Sequence, residues 1–191
     1  MLQIIKQQLE SSIQVKKTIL GDSDLLELIE ATAQACISAF RSGNKVMLAG
    51  NGGSASDALH IAAEFVGRYE RDRSGIAALA LSANASTMTA VANDYGYEAV
   101  FQRQVQALGK QGDVFFGLST SGRSPNVVAA VQECKRLGIV TVGMTGGSGG
   151  DMVELCDYCI RVPSDNTARV QEAHITIGHI ICSLVERTLF S

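Results

Sequence analysis

The amino-acid sequence predicts a three-layer α/β/α sandwich built on a central parallel sheet of about five strands. Short continuous apolar runs alternate with stretches of helical apolar spacing, which is typical of a parallel sheet covered by helices on both faces. The chain has 191 residues, enough for one domain with a substantial core. No segment is long enough to act as a linker, so we expect a single domain over residues 1–191.

Two amphipathic helices are predicted before the first strand, as an N-terminal extension over about residues 1–42. Apolar side chains recur at helical spacing in residues 1–20, and again more clearly in residues 23–42. Asp22 is a suitable N-terminal cap for the second helix, and Gly43 is a suitable residue to end it.

The remaining elements alternate as expected for a parallel α/β sheet. Strands are predicted at the apolar runs 45–49, 76–81, 113–118, 138–144 and 157–162. Helices are expected after the first strand to about Glu70, after the third strand to Leu137, and from about Thr167 to Leu189. Open parallel sheets bind ligands beyond the carboxyl ends of their strands, so the loops after the first and third strands are the candidates for a binding site.

Composition argues against several classes of protein. The chain has 16 basic and 19 acidic residues, and a net charge of −3 does not favour binding to nucleic acid. No apolar stretch reaches the roughly 18 residues of a membrane span, and the first residues lack the pattern of a secretory signal. We therefore expect a cytoplasmic protein that binds neither nucleic acid nor membranes. An odd number of cysteines, 5, fits free thiols in a reducing compartment.

The loop after the third strand, residues 119–124, contains four hydroxyl side chains. They belong to Ser119, Thr120, Ser121 and Ser124. Because a helix beginning at Pro125 follows, backbone N–H groups and hydroxyls would converge at a helix N-terminus, which suits a phosphate group. Ser124 is also a suitable cap for that helix. The loop lacks the lysine of a P-loop, so an NTPase is not expected, and an ordinary serine-rich turn remains the alternative.

The loop after the first strand is rich in glycine and carries one amide side chain. Its sequence is Gly50-Asn51-Gly52-Gly53-Ser54. The dinucleotide fingerprint is incomplete, because Ala55 occupies its final glycine position. The amide of Asn51 can both donate and accept hydrogen bonds, which suits a small polyhydroxy ligand.

His60 and Glu64 are four residues apart on a predicted helix and therefore share one face. Such a pair can bind a metal ion or perform acid–base chemistry, although similar pairs are common on surface helices.

The last predicted helix carries a second group of candidates. Gln171, Glu172 and His179 fall on roughly one face of it. His174 points about 140° away from His179, so we expect it to be a structural histidine. Spacing alone slightly favours Glu172 over Gln171 as the partner of His179.

Taken in order, these motifs resemble the phosphoheptose isomerases of the sugar isomerase (SIS) family over nearly the whole chain. The resemblance is carried by residues 50–54, His60 with Glu64, residues 67–69, Asn93-Asp94, residues 119–124, residues 169–174 and His179. It implies the SIS α/β sandwich and a homotetramer with active sites at subunit junctions. It also implies conversion of sedoheptulose 7-phosphate to D-glycero-D-manno-heptose 7-phosphate, the first step towards ADP- or GDP-heptose for lipopolysaccharide or another surface glycan.

The resemblance also implies a role for each site residue. Phosphate contacts fall to Ser119, Thr120, Ser121 and Ser124; the other substrate contacts fall to Asn51, Gly52, Gly53, Ser54, Glu64, Asn93, Asp94 and Gln171. One zinc ion per subunit would be bound by His60, Glu64, Gln171 and His179. Here the resemblance selects Gln171 where spacing favours Glu172. Glu64 and His179 would also be the catalytic pair, moving protons between carbons and between oxygens respectively.

Two alternatives keep the same loops. The chain also resembles the DnaA initiator-associating proteins of the same family, which are tetrameric binding proteins with a degraded catalytic set, in residues 168–172 and 188–190. The second alternative is a sensor that binds a sugar phosphate but does not convert it. The presence of both Glu64 and His179 favours the enzyme. A carboxylate bound to zinc cannot act as a base at the same moment, so either Glu64 leaves the metal on substrate binding or the zinc is chiefly structural or activating.

Overall fold

The computed structural model describes residues 1–190 and has the predicted architecture, a parallel sheet between two layers of helices. The strands are β1 (Val46–Gly50), β2 (Ala78–Ala80), β3 (Val114–Leu118), β4 (Val140–Thr145) and β5 (Tyr158–Arg161). The helices are α1 (Leu2–Leu20), α2 (Ser23–Arg41), α3 (Gly53–Val66), α4 (Ala85–Tyr95), α5 (Val100–Leu108), α6 (Pro125–Arg136), α7 (Met152–Leu155) and α8 (Thr167–Leu189). A 3₁₀ turn, Tyr97–Ala99, separates α4 from α5.

The strands lie in the order β2-β1-β3-β4-β5, and every neighbouring pair is parallel. β1 and β3 are buried along their whole length, because helices cover both faces of the sheet. One apolar cluster packs under α2, α3 and α8, and another packs under α5 and α6. Gly50 at the end of β1 is the register partner of Leu118 at the end of β3. The loops that follow these two strands therefore leave the same edge of the sheet side by side.

The predicted signals at the ends of α2 are confirmed. Asp22 Oδ1 accepts a hydrogen bond of 3.0 Å from the backbone N–H of Leu25, which caps the helix. Gly43 follows the helix with a φ of 72°, a left-handed conformation that a glycine adopts without strain.

The predicted cap of α6 is only partly right. Ser124 is the N-cap residue and Pro125 begins the helix, as predicted. The Ser124 hydroxyl, however, makes no hydrogen bond to the helix and lies 2.8 Å from Ser119 Oγ instead. The hydroxyl is thereby turned into the loop rather than along the helix.

α3 ends at Val66, earlier than the predicted end at about Glu70. The backbone N–H groups of Tyr69, Glu70 and Arg71 donate instead to the carboxylate of Glu186. These groups are therefore not available for helix hydrogen bonds, and the chain leaves the helix axis before residue 69.

The sequence pattern did not predict α4 and α5. No residue of α4 is fully buried within the described chain, and Met88, Val91 and Ala92, which pack partly buried against the cluster under α5 and α6, form only a short apolar pattern. Its N-terminal signal is nevertheless present, since Asn84 Oδ1 accepts a hydrogen bond of 3.0 Å from the N–H of Thr87.

Two further observations concern the composition-based predictions. The five cysteines all lie among the described residues and are free thiols, as predicted. In residues 1–190 no helix has the length and apolarity needed to cross a lipid bilayer.

Candidate active site

The loop after β3 brings its serine hydroxyls together at the N-terminus of α6. Ser119 Oγ lies 2.8 Å from Ser124 Oγ and 3.5 Å from Ser121 Oγ. The backbone N–H of Arg123 donates to Ser121 Oγ at 3.2 Å, and that of Ser124 donates to Ser119 Oγ at 3.4 Å. Hydroxyl donors clustered just before the first turn of a helix, at the positive end of its dipole, form a suitable site for a phosphate group.

Glycine is required in the middle of this loop for both conformation and space. Gly122 has a φ of 65°, and a Cβ atom there would overlap the carbonyl of Gly149. The loop therefore packs directly on the backbone of the segment that follows β4, which fixes its shape.

The side chain of Asn51, which was predicted to contact a ligand, makes hydrogen bonds within the protein. Its Nδ2 donates to Asn126 Oδ1 at 2.9 Å, while Asn126 Nδ2 donates back to Asn51 Oδ1 at 2.9 Å. Asn51 Oδ1 also accepts a hydrogen bond of 3.0 Å from the hydroxyl of Tyr97. Asn126 is 2% exposed and lies in the first turn of α6, two residues after the serine-rich loop, so the paired amides link the two candidate loops.

His60, Glu64 and His179 meet on the surface between α3 and α8. Nε2 of His60 lies 3.0 Å from Oε1 of Glu64 and 3.3 Å from Nε2 of His179. The ligand atoms of all three residues lie within 4.8 Å of one another. Gly178 permits the close approach of the two helices, because a Cβ atom there would lie 2.5 Å from Cδ1 of Ile61.

The three side chains are of the types that bind a divalent metal ion, and zinc serves as the test of their spacing. Zinc binds histidine nitrogen and carboxylate oxygen at about 2.0–2.2 Å, so ligand atoms on a tetrahedron around it lie about 3.3–3.6 Å apart. The His60–His179 separation of 3.3 Å falls in this range, the His60–Glu64 separation of 3.0 Å is slightly shorter, and the ligand atoms of Glu64 and His179 lie within 4.8 Å of each other. Two histidines with one glutamate are also a set used by catalytic zinc sites, which keep a position open for water or substrate.

Gln171 and Glu172 have different surroundings although they are adjacent. Glu172 Oε1 accepts a hydrogen bond of 2.6 Å from Nη2 of Arg169, so its carboxylate is engaged by a neighbouring cation. The side chain of Gln171 lies against Gly53, where a Cβ atom would be 2.5 Å from Gln171 Nε2. Gln171 is therefore placed at the start of the helix that carries His60.

His174 is a buried structural histidine, as predicted. It is fully buried and its Nε2 lies 3.1 Å from the carbonyl oxygen of Thr145. Burial lowers the pKa of His174 to about 4, against the opposing effect of that hydrogen bond. The imidazole is therefore neutral near pH 7 and donates from Nε2 to the carbonyl.

The predicted residues of α4 lie outside these clusters. Asn93 and Asp94 are exposed, and Nδ2 of Asn93 donates to Oδ1 of Asp94 at 2.8 Å. Tyr97, in the turn after α4, connects this segment to the glycine-rich loop through Asn51. In that loop Gly52 and Gly53 are exposed, whereas Ser54 is buried in the first turn of α3.

Three residues near the site were not given a role by the sequence. Tyr97 and Asn126 bind Asn51, and the ring of Tyr69 lies 5.4 Å from that of His179, tilted by 33°. The sequence offered one signal for Asn126, namely its position shortly after the candidate loop 119–124. No periodic pattern indicates Tyr69 or Tyr97, because Tyr69 lies in an irregular segment and Tyr97 begins a three-residue 3₁₀ turn.

Comparisons with known proteins give consistent results. The model of the SIS domain family matches residues 15–146. The chain is 56% identical over 186 residues to a phosphoheptose isomerase of Aneurinibacillus thermoaerophilus, covering 97% of this chain and 94% of that protein.

Solved structures extend the similarity to the fold. The structure of a phosphoheptose isomerase from Neisseria gonorrhoeae has a TM-score of 0.92 and 36% identity, with 98% of this chain and 100% of that chain covered. One from Francisella tularensis has a TM-score of 0.93 and 37% identity, with coverage of 97% and 98%.

Proposed function

The chain belongs to the SIS domain family, among the phosphoheptose isomerases, and from this we propose that it converts sedoheptulose 7-phosphate to D-glycero-D-manno-heptose 7-phosphate. The observation that carries the proposal is the meeting of His60, Glu64 and His179 between α3 and α8. An aldose–ketose isomerase needs groups that exchange protons with a bound sugar phosphate, and this cluster supplies them.

The proposed reaction moves one proton between neighbouring carbons and one between neighbouring oxygens. Glu64 acts as the base that removes a proton from C1 of the ketose and returns it to C2, which makes C1 the aldehyde carbon. His179 accepts the proton of the C1 hydroxyl and delivers it to the oxygen on C2. The intermediate between these transfers is an enediol, and no oxidant or co-substrate is needed.

A zinc ion would be held by His60, Glu64, Gln171 and His179, one per subunit. When bound, it supplies positive charge that stabilises negative charge on the substrate oxygens. Glu64 is then needed both as ligand and as base. Either its carboxylate leaves the metal when substrate binds, or the zinc is chiefly structural or activating.

The phosphate is assigned to the hydroxyls of Ser119, Thr120, Ser121 and Ser124 and to the N-terminus of α6. Further substrate contacts are assigned to Asn51, Gly52, Gly53, Ser54, Glu64, Asn93, Asp94 and Gln171. Because the amide of Asn51 is engaged by Asn126, we assign the contact at position 51 to the backbone. The exposed Gly52, with a φ of 56°, leaves that backbone open to a ligand.

We propose a homotetramer with the active sites at subunit junctions, in which residues 1–191 form one SIS domain with residues 1–42 as its extension. The apolar stripe of α1, defined here as Leu2, Ile5, Leu9, Ile13 and Leu20, is 51–77% exposed in the single chain. α4, which carries Asn93 and Asp94, buries no residue within the described chain. Exposed apolar surface of the kind that α1 carries is typical of a protein–protein interface, which favours assembly through this helix.

In the cell we propose a cytoplasmic role, supplying heptose phosphate for ADP- or GDP-heptose and thus for lipopolysaccharide or another surface glycan. A non-catalytic binding protein of the DnaA initiator-associating type, or a sensor, is less favoured. Neither would need Glu64 and His179 beside His60.

Incubation of the purified protein with sedoheptulose 7-phosphate, followed by NMR, tests the proposal. We expect the anomeric proton signals of an aldoheptose phosphate to grow as the ketose signals decline. Binding of the sugar phosphate without conversion would instead support the sensor or the binding protein.

A further inference from the structure

The segment that leaves α3 is fastened to α8 by a single buried carboxylate. Glu186 is 1% exposed, and its two oxygens accept hydrogen bonds from three successive backbone N–H groups. Oε2 accepts from Tyr69 at 3.0 Å, and Oε1 accepts from Glu70 at 3.0 Å and from Arg71. Burial works to raise the pKa of Glu186, but these hydrogen bonds and Arg73 outweigh it and hold the pKa below its usual range.

Arg73 completes the connection on the side of α3. Its Nε lies 3.3 Å from Glu186 Oε2, and its side chain is 2% exposed. Nη2 donates to the carbonyl of Glu64 at 2.9 Å, and Nη1 donates to the carbonyl of Phe65 at 2.8 Å. The last carbonyls of a helix lack partners inside it, so the guanidinium both terminates α3 and stabilises its negative end.

The same connection reaches the cluster of His60, Glu64 and His179 from both of the helices that carry it, α3 and α8. Glu64, whose carbonyl binds Arg73, carries the carboxylate that lies 3.0 Å from His60. Tyr69, whose N–H binds Glu186, presents its ring to the ring of His179 at 5.4 Å.

We infer that the Arg73–Glu186 ion pair is a brace: it positions α3 and α8 so that His60, Glu64 and His179 can bind one metal ion together. Both are positioning residues, because neither is among the three side chains of the cluster. The inference rests on the proposed function, and it goes beyond that function because it explains what keeps the cluster assembled.

The cost of burying the charges supports a specific role. Two charges withdrawn from water are expensive, and an apolar pair of similar volume is often as stable. The last carbonyls of an ordinary helix can instead accept hydrogen bonds from water or from the backbone N–H groups of a turn that contains glycine. Here Arg73 binds the last carbonyls of α3 and also Glu186, a residue of α8, so the pair links the end of α3 to α8.

A neighbouring ion pair offers a matched control. Nη2 of Arg187 lies 3.1 Å from Oε2 of Glu70, so this pair joins the same segment to the same helix. Its side chains are 63% and 42% exposed, and exposed pairs contribute little. Glu70→Gln removes this pair and leaves the backbone N–H of residue 70 free to bind Glu186.

The test compares Glu186→Gln and Arg73→Lys with Glu70→Gln and the wild type. Glu186→Gln keeps the shape but replaces one acceptor oxygen, whereas Arg73→Lys keeps the charge but loses the forked donors to the α3 carbonyls. For each protein, folded by circular dichroism at the assay temperature, we measure kcat and KM for sedoheptulose 7-phosphate. Zinc affinity is measured by competition with a chromogenic chelator.

We expect both brace variants to lower kcat and zinc affinity by about tenfold or more, the scale of lost support around a metal site. KM should stay within about threefold of wild type, because the phosphate contacts lie on the β3–α6 loop. Glu70→Gln should match the wild type within about twofold. A merely structural role would lower the melting temperature of the brace variants and leave kcat and zinc affinity unchanged in the folded protein, which would overturn the inference.

If a variant does not fold, hydrogen exchange in the wild type tests whether the brace is coupled to zinc binding. Coupling between two sites is reciprocal, so zinc is expected to slow exchange of the amides of Tyr69, Glu70 and Arg71. Equal exchange with and without zinc would overturn the brace. A wild type that binds zinc but never isomerises the sugar contradicts the proposed function, and the zinc measurements then decide the brace alone. A wild type that neither binds zinc nor isomerises the sugar contradicts both the proposed function and the brace.

Discussion

Nε2 of His179 lies 3.3 Å from Nε2 of His60, although the two residues are 119 positions apart in the chain. In neutral imidazoles that carry their proton on Nδ1, both facing nitrogens present lone pairs. Such a pair is stabilised by a cation between them. With Glu64 Oε1 beside His60, the three atoms surround a position that a divalent ion can occupy.

The first prediction concerns that metal. The purified wild type should bind one zinc per chain, and His60→Gln or His179→Gln should weaken binding by at least about tenfold through loss of a ligand. Metal analysis after dialysis against a weak chelator measures this. His174→Gln is the control, because its ring is buried against Thr145. Equal zinc retention by all three variants would refute the site.

The second prediction concerns the phosphate. The double variant Ser119→Ala/Ser124→Ala should raise KM for the sugar phosphate at least about tenfold, since each hydrogen bond to a charged group contributes about 1.5–3 kcal/mol. Steady-state kinetics checks it. Ser38→Ala, which removes an exposed hydroxyl bonded to the α2 backbone, should leave KM unchanged. An unchanged KM in the double variant would place the phosphate elsewhere.

The five strands and the helices α1, α2, α3, α6 and α8 could be predicted because buried strands and packed helices have different apolar periods, whereas α5 was missed although it buries Val100, Phe101 and Val105. α4 was not predicted because none of its residues is fully buried and its partly buried side chains, Met88, Val91 and Ala92, form only a short apolar pattern. The early end of α3 could not be predicted from the sequence either, because it depends on Glu186, a residue more than a hundred positions away.

The candidate site was predictable where the chemistry is local. The spacing of His60 and Glu64 gives one face of one helix, but spacing cannot show that His179 on another helix joins them. The amide of Asn51 illustrates the same limit. Its donor and acceptor character was evident from the sequence, whereas its partner Asn126, 75 positions away, was not.

The third prediction is a pH dependence of stability. Burial lowers the pKa of His174 from 6.5 to about 4, so below pH 6.5 the unfolded chain binds a proton that the folded chain does not. Stability should therefore be lost as the pH falls from 6.5 towards 4. Between about pH 7 and about pH 5 the loss from this group is about 2 kcal/mol.

Urea unfolding of the zinc-free protein at those two pH values measures the effect. His174→Gln can still donate to the carbonyl of Thr145 but cannot titrate, so its stability should fall less between them. The same decrease in the wild type and the variant would contradict the assignment.

The fourth prediction concerns assembly through the apolar stripe of α1. Leu9 and Ile13 are 60% and 51% exposed in the single chain. Leu9→Glu/Ile13→Glu should give species smaller than a tetramer in light scattering, because charges would be buried without partners. Gln34→Glu, at an exposed position of α2, should leave the mass unchanged. A wild-type monomer at micromolar concentration would rule out the tetramer.

The most direct test of the central claim is the turnover of sedoheptulose 7-phosphate by Glu64→Gln beside the wild type, followed by NMR. The amide keeps the shape of the side chain but cannot accept a proton, so the rate should fall by about 10²-fold or more. Calorimetry should still detect binding through the phosphate loop, and Glu70→Gln should turn over like the wild type. A Glu64→Gln variant that isomerises the sugar at the wild-type rate would contradict the account.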